Sequence, residues 1–242
     1  MLWLIQVIRP NLLSSLQDNL FFIDFINTKR KNIHNLEKRQ PMINLEQVMR
    51  DFETAAEKLN KAGPCISIFG SARTDPSHKH YKEITYIAKE LTKIGYGIIT
   101  GGGKGIMEAG NKGAKQGAGE SIGLSIYLPF ETCSNAFVDH LVDFKYFFAR
   151  KVIFVNYSSA FLIAPGGVGT LDEFFEVFTL IQTGKIKKRP MVLYDAAYWK
   201  PLIEQLHQMV GYTISAEDLA LFEIIDNPDE VIRFFDTHRT EK

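Results

Sequence analysis

Apolar positions along the chain recur at two alternating spacings, a helical one and a short continuous one, and from residue 42 onward the alternation is regular. Leu45, Val48, Met49, Phe52, Ala56 and Leu59 follow the helical period behind Asn44, a residue type that caps helix N-termini, and Gly63-Pro64 stops the run. Cys65-Ile66-Ser67-Ile68-Phe69 then reads as a short buried strand. A second helix is marked by Tyr81, Ile84, Ala88, Leu91 and Ile94 and closed by Gly95. The same reading predicts strand 96–100, helix 106–116, strand 121–127, a strand near 142–147, helix 151–156, strand 160–164, helix 171–183, strand 191–194, helix 199–210, a short strand at Ile224-Ile225 and a last helix over 228–237.

Strands that alternate with helices call for crossover connections, hence a mostly parallel sheet of about seven strands with helices on both faces, an α/β fold of three layers. No internal repeat occurs, and no linker is long enough to force a division, so residues 42–242 read as one domain. Residues 1–41 read differently. They hold a short apolar start, Pro10, the patch Leu20-Phe21-Phe22-Ile23 and the basic groups Lys29-Arg30-Lys31 and Lys38-Arg39, without a clean period. Two readings stand for them: an N-terminal arm that packs on the body or on a partner subunit, or a leader upstream of a true start at Met42.

Composition narrows the function classes. With 28 Lys and Arg against 28 Asp and Glu, and 45% hydrophobic residues, the chain is neither disordered nor a nucleic-acid-coating protein, whose affinity rests on excess positive charge. An anionic ligand must therefore be held by local geometry. Two cysteines, Cys65 and Cys133, are too few for a disulfide scaffold or a paired zinc cluster, and His78-Lys79-His80 lacks the helical spacing of zinc-binding histidines, so it reads as a surface loop. The apolar run from Met1 to Ile8 is far short of the roughly 20 residues that span a bilayer and has no signal-peptide flanks. The expectation is a cytoplasmic protein with no metal, no membrane and no nucleic-acid partner.

Three strands end in small-residue turns: Gly70-Ser71-Ala72-Arg73, Gly101-Gly102-Gly103-Lys104-Gly105 and Pro165-Gly166-Gly167-Val168-Gly169-Thr170. In a parallel sheet all three open on one edge, where glycine lets a ligand approach backbone amides and a following helix offers unpaired N–H groups. The turns do not match the dinucleotide fingerprint, since Ile106 and Asp172 stand where its third glycine is needed, nor the triphosphate P-loop, since Lys104 is followed by Gly105.

Two further segments carry open alternatives. Thr170-Leu171-Asp172-Glu173 has the form of a capping box, with Glu173 folded back onto the Thr170 amide, yet a carboxylate one turn below a phosphate cradle could equally act on a bound sugar. Phe147-Phe148-Ala149-Arg150-Lys151 puts two cations at a helix start, where the dipole disfavours them, which points either to a nearby anion or electron-rich ring or to solvated charges on a helix that starts earlier.

Taken together, Gly70 to Arg73, Gly101 to Ala109, Phe147 to Lys151 and Pro165 to Glu173 resemble the LOG family, the cytokinin-activating phosphoribohydrolases long labelled as possible lysine decarboxylases. The resemblance runs from about Cys65 to the C-terminus. It implies a Rossmann-like fold, a homodimer, and hydrolysis of the N-glycosidic bond of a nucleoside 5′-monophosphate such as AMP or a cytokinin riboside monophosphate, with no cofactor. By matching positions it implies Arg150 and Glu173 as the catalytic pair and Gly166, Gly167, Val168, Gly169 and Thr170 as the phosphate site. Ser71, Gly102, Gly103, Met107 and Lys151 would line the nucleoside pocket. Glu108 departs from the small plant-type members, which have Gly after the Met, and matches longer bacterial relatives. Two other classes compare with this one. A non-catalytic carrier of a nucleotide or of the molybdenum cofactor could use the same fold, whereas a decarboxylase would need a pyridoxal-binding constellation that the sequence lacks.

Overall fold

In the computed structural model, residues 43–127 and 134–239 are described. The N-terminal arm, Met42 and the segment 128–133 with Cys133 lie outside them. Seven strands, β1 (Cys65–Phe69), β2 (Gly97–Thr100), β3 (Ser121–Ile126), β4 (His140–Phe144), β5 (Ser158–Ile163), β6 (Met191–Tyr194) and β7 (Glu223–Ile225), form one sheet in the order β4-β3-β2-β1-β5-β6-β7. Every neighbouring pair is parallel.

The helices are α1 (Leu45–Leu59), α2 (Lys79–Lys93), α3 (Ile106–Gln116), α4 (Phe147–Tyr157), α5 (Val168–Gln182), α6 (Ala196–Met209) and α7 (Pro228–Thr237). They divide between the two faces of the sheet as the strand alternation dictates. Cys65, Phe69, Phe161, Ile163, Met191 and Leu193 share a core with α1, α4, α5 and α6, while Ile66, Ile68, Ala160, Leu162, Val192 and Tyr194 share one with α2, α3 and α7. This is the three-layer Rossmann-like arrangement the sequence predicts. Its helix starts are chemically marked: Asn44 Oδ1 accepts from the Gln47 amide at 3.1 Å, and Asn227 Oδ1 accepts from the Asp229 amide at 2.8 Å ahead of Pro228.

Strand order places β1 at the switch point, with β2 on one side and β5 on the other. The turns after these three strands therefore meet at the carboxyl edge, at the crevice where such sheets bind ligands. Helix α5, which starts there, is anchored by Phe174 and Phe178, whose rings pack against Phe222 at ring-centroid separations of 5.7 and 6.0 Å. A fully buried Phe contributes on the order of 1.5–3 kcal/mol, so the helix carrying Glu173 is held firmly.

Three local expectations are corrected. Helix α4 begins at Phe147, four residues before the expected start, so Arg150 and Lys151 sit within the helix and both are largely buried. His78-Lys79-His80 is the start of α2 and not a free loop: His78 caps the helix through Nδ1, which accepts from the His80 amide at 3.2 Å. Helix α5 starts at Val168 with Gly167 as its N-cap, which removes Thr170 from the capping position.

Candidate active site

The turns after β1, β2 and β5 are joined by backbone hydrogen bonds. The Ser71 amide donates to the Pro165 carbonyl at 3.0 Å, and the Ser71 carbonyl accepts from the Ile106 amide at 2.9 Å. Ser71 Oγ accepts from the Arg73 amide at 3.1 Å. Two glycines make this closeness possible. Gly105 has φ 64°, and a Cβ there would overlap the Ser71 carbonyl; a Cβ on Gly166 would overlap Thr170 Oγ1 and lie 3.0 Å from the Gly70 carbonyl carbon.

Beyond Gly166 the backbone opens. Gly167, Val168 and Gly169 are exposed, Val168 to 83%, and a Cβ on Gly167 or Gly169 would meet nothing within 4 Å. Among the described residues the N–H groups of these three residues have no acceptor. Among the described residues no side chain caps the helix, so the positive end of the α5 dipole and three N–H groups without an acceptor lie together at this exposed turn. Thr170, expected in this group, is buried, with its hydroxyl packed on Gly166 and its amide bonded to the Gly167 carbonyl at 2.9 Å.

Glu173 does not fold back to close a capping box. One turn into α5, its Oε1 accepts from Arg150 Nη2 at 3.3 Å, and the two side chains are only 7% and 14% exposed. Both helices start at the carboxyl edge, which is why residues 23 positions apart in sequence meet there. The Arg150 guanidinium lies over the Phe147 ring at 5.3 Å and the Phe154 ring at 5.6 Å, and its buried Nε has no hydrogen-bond partner among the described residues. Stacking of this kind holds the guanidinium plane in place. Burial lowers the Arg150 pKa from its ordinary value, partly offset by Glu173. Burial raises that of Glu173, partly offset by Arg150 and Lys151. The pair is thus an ionisable couple kept in a poorly solvated place.

Lys151, expected in the nucleoside pocket, has its ammonium committed elsewhere. It reaches Asp172 Oδ1 at 2.7 Å, the Asp172 carbonyl at 3.2 Å and Glu176 Oε2 at 3.6 Å. Its observed work is to tie α4 to the first turns of α5 and so to keep Arg150 opposite Glu173.

The triple-glycine turn forms the remaining wall. The Met107 side chain lies across Gly101 and Gly103, since a Cβ on either would press on its Sδ or Cε, and Arg150 Nη1 would be 3.8 Å from a Cβ on Gly101. Sequence reasoning missed what fixes this turn. Asn135 donates its amide to the Gly102 carbonyl at 2.7 Å and its Nδ2 to the Gly103 carbonyl and to Asn111 Oδ1, each at 2.9 Å. Asn111 Oδ1 also accepts from Thr100 Oγ1 at 2.6 Å, while its Nδ2 donates to Ser121 Oγ at 3.0 Å. A signal existed for Asn111, a polar residue between Ala109 and Ala114 on the buried face of α3. None existed for Asn135, which lies in irregular backbone. Glu108, the departure from plant-type spelling, accepts from Tyr81 Oη at 2.7 Å.

Among the described residues no group of three or more His, Cys, Asp or Glu side chains could hold a metal ion, and no helix is long and apolar enough to cross a membrane.

Comparison with known proteins bears on this geometry. A family model described as "Possible lysine decarboxylase" matches residues 107–235, more than half of the chain. A cytokinin riboside 5′-monophosphate phosphoribohydrolase from Rhodococcoides fascians is 40% identical over 57 residues, covering 24% of this chain and 29% of that protein. A protein of the same name from Mycobacterium marinum is 26% identical over 163 residues, covering 65% of this chain and 87% of the relative. Among solved structures, the molybdenum cofactor binding protein from Rippkaea orientalis is similar, with a TM-score of 0.56 at 22% identity over 73% of this chain and 98% of that one, a likeness of fold. The matched region includes Met107, Arg150, the glycine turn and Glu173, and the chain belongs to the possible lysine decarboxylase family, the LOG family.

Proposed function

We propose that this protein hydrolyses the N-glycosidic bond of a nucleoside 5′-monophosphate, releasing the free base and ribose 5-phosphate. The observation that carries the reading is the buried Arg150–Glu173 pair one turn from three amides at the start of α5 that have no acceptor among the described residues. Relatives named cytokinin riboside 5′-monophosphate phosphoribohydrolase support it.

N-glycoside cleavage develops positive charge at the anomeric carbon and negative charge on the departing base. In this reading the phosphate binds the Gly167, Val168 and Gly169 amides, which anchors the sugar one helical turn from Glu173. The Glu173 carboxylate faces the ribose, offsets the developing cation and orients the attacking water. Arg150 stays protonated, so it donates hydrogen bonds to the departing base or to a substrate oxygen and surrenders no proton. Water adds to the anomeric carbon as the C–N bond breaks, and its proton ends on the base. Met107 and the triple-glycine turn supply the wall on the base side. A homodimer belongs to the same reading, checked by light scattering on the purified protein.

The test is base release from a panel of nucleoside monophosphates that includes AMP and isopentenyl-AMP. Free adenine or free isopentenyladenine supports the reading. Tight binding of a nucleotide without turnover would favour a carrier, a use for which a paired buried Arg and Glu has no evident need.

A further inference from the structure

Residues outside the family's glycine motif act on the cradle. Tyr198, in the first turn of α6, donates its hydroxyl to the Gly166 carbonyl at 2.7 Å. The Gly166–Gly167 peptide is trans, as are all peptide bonds among the described residues. In a trans peptide the carbonyl and the following N–H point in opposite directions. Pinning the Gly166 oxygen toward Tyr198 therefore turns the Gly167 N–H away from Tyr198, and that N–H has no acceptor among the described residues.

Tyr198 is itself held from behind. Asp195, the N-cap of α6, accepts from the Tyr198 amide through Oδ1 at 3.1 Å and pairs through Oδ2 with His80 Nε2 at 2.8 Å. It does so from a left-handed backbone, φ 79°, which a non-glycine residue adopts at some cost and which must be held by its surroundings. His80 belongs to α2, so the tether crosses from the segment after β1, through the end of β6, to the turn after β5.

From this chain of contacts we propose that Tyr198 is a positioning residue for the phosphate cradle, with Asp195 and His80 as its support: its hydroxyl fixes the Gly166–Gly167 peptide plane so that the Gly167 amide is presented to an anionic oxygen of the substrate. The inference rests on the phosphate-binding reading above. It adds α6, which carries no glycine motif, to the machinery that selects phosphorylated over unphosphorylated substrates.

Tyr198→Phe removes the hydroxyl and keeps the ring that packs edge-on against Trp199 at 4.9 Å. The binding of ribose 5-phosphate and of ribose to the full chain, measured by calorimetry, reads the effect directly. Y198F is expected to weaken ribose 5-phosphate about fivefold to tenfold, the equivalent of one net hydrogen bond, and to leave ribose within twofold. The KM for AMP should rise by the same factor with kcat little changed, a split that a general loss of structure would not produce. A variant-free measurement accompanies it: in the wild-type protein, the Gly167 amide resonance should move on addition of ribose 5-phosphate and stay in place with ribose. Equal ribose 5-phosphate affinity in wild type and Y198F, or an unmoved Gly167 amide in a wild type that binds the ligand, overturns the role of Tyr198 alone. A wild type that binds no ribose 5-phosphate and releases no base overturns the phosphate reading together with it.

Discussion

Glu173 pairs with Arg150 across two helices at 3.3 Å, and the local capping geometry its sequence allows is left unused. The carboxylate is thus held for something other than ending a helix. Glu173→Gln is expected to keep the fold, because a glutamine oxygen can still accept from Arg150, while base release falls by about 100-fold or more. Melting curves and product assays on the same preparation separate this outcome from a structural role, which would give an unstable but active variant.

The pH response of that variant follows from burial. The Glu173 pKa is raised in the folded protein, so its neutral form is favoured there. The stability associated with a raised carboxyl pKa is fully present below the unfolded pKa and is lost as pH rises through the folded value. The melting temperature of E173Q minus that of wild type should therefore be near zero in acid and grow toward neutral pH. For the proposed base release, in which Glu173 acts as the carboxylate, the acid limb of kcat/KM is expected above the ordinary glutamate range. A melting difference that shrinks as pH rises would contradict the assignment.

Two of the three glycines in the cradle turn, Gly166 and Gly169, should respond differently to alanine. At Gly166 a methyl group would press on Thr170 Oγ1 and on the Gly70 backbone, so G166A is expected to lose about 1–3 kcal/mol of stability. At Gly169 the space is open and the residue is helical, so G169A should melt at or slightly above the wild-type temperature. Thermal denaturation of the two variants side by side checks the contrast.

Asn111 is the buried centre of the hydrogen bonds that hold the triple-glycine turn. Asn111→Ala removes the acceptor of the Thr100 hydroxyl and of one Asn135 Nδ2 N–H, at a cost of about 1–3 kcal/mol for each group left unsatisfied. A fall of several degrees in melting temperature is expected, with KM rising more than kcat falls because the wall contacted by Met107 loosens. A variant as stable as wild type would show that buried water replaces the amide.

Much of the fold was legible because its central strands are buried on both faces and its helices are punctuated by glycine and proline. Cys65–Phe69, Ile106–Gln116 between Gly105 and Gly117, Met191–Tyr194 and Pro228–Thr237 were read from the sequence at their observed bounds. The start of α4 was not, because Phe147-Phe148-Ala149 is an apolar run without a period and joins a preceding strand as readily as a following helix. The start of α5 was missed for a different reason. Gly167 can end the extended turn and cap the helix by backbone geometry alone, so Thr170, the residue with the better capping side chain, falls one turn inside. Of the site, the glycine turns and the Arg150–Glu173 pairing of charges lay in recognisable strings. Asn135 and Tyr198 did not, since each acts on a turn about 32 residues away through contacts that only the folded sheet edge creates.

In the proposed reaction a phosphorylated nucleoside is bound by the α5 amides and cut beside Glu173. Its most direct test is adenine release measured by chromatography from AMP and from adenosine at equal concentration with the wild-type protein. Adenine is expected from AMP with kcat/KM at least about 100-fold above that for adenosine, since the phosphate anchor converts remote binding energy into positioning. Equal rates on the two substrates, or no base released from any nucleoside monophosphate in the panel, would contradict it.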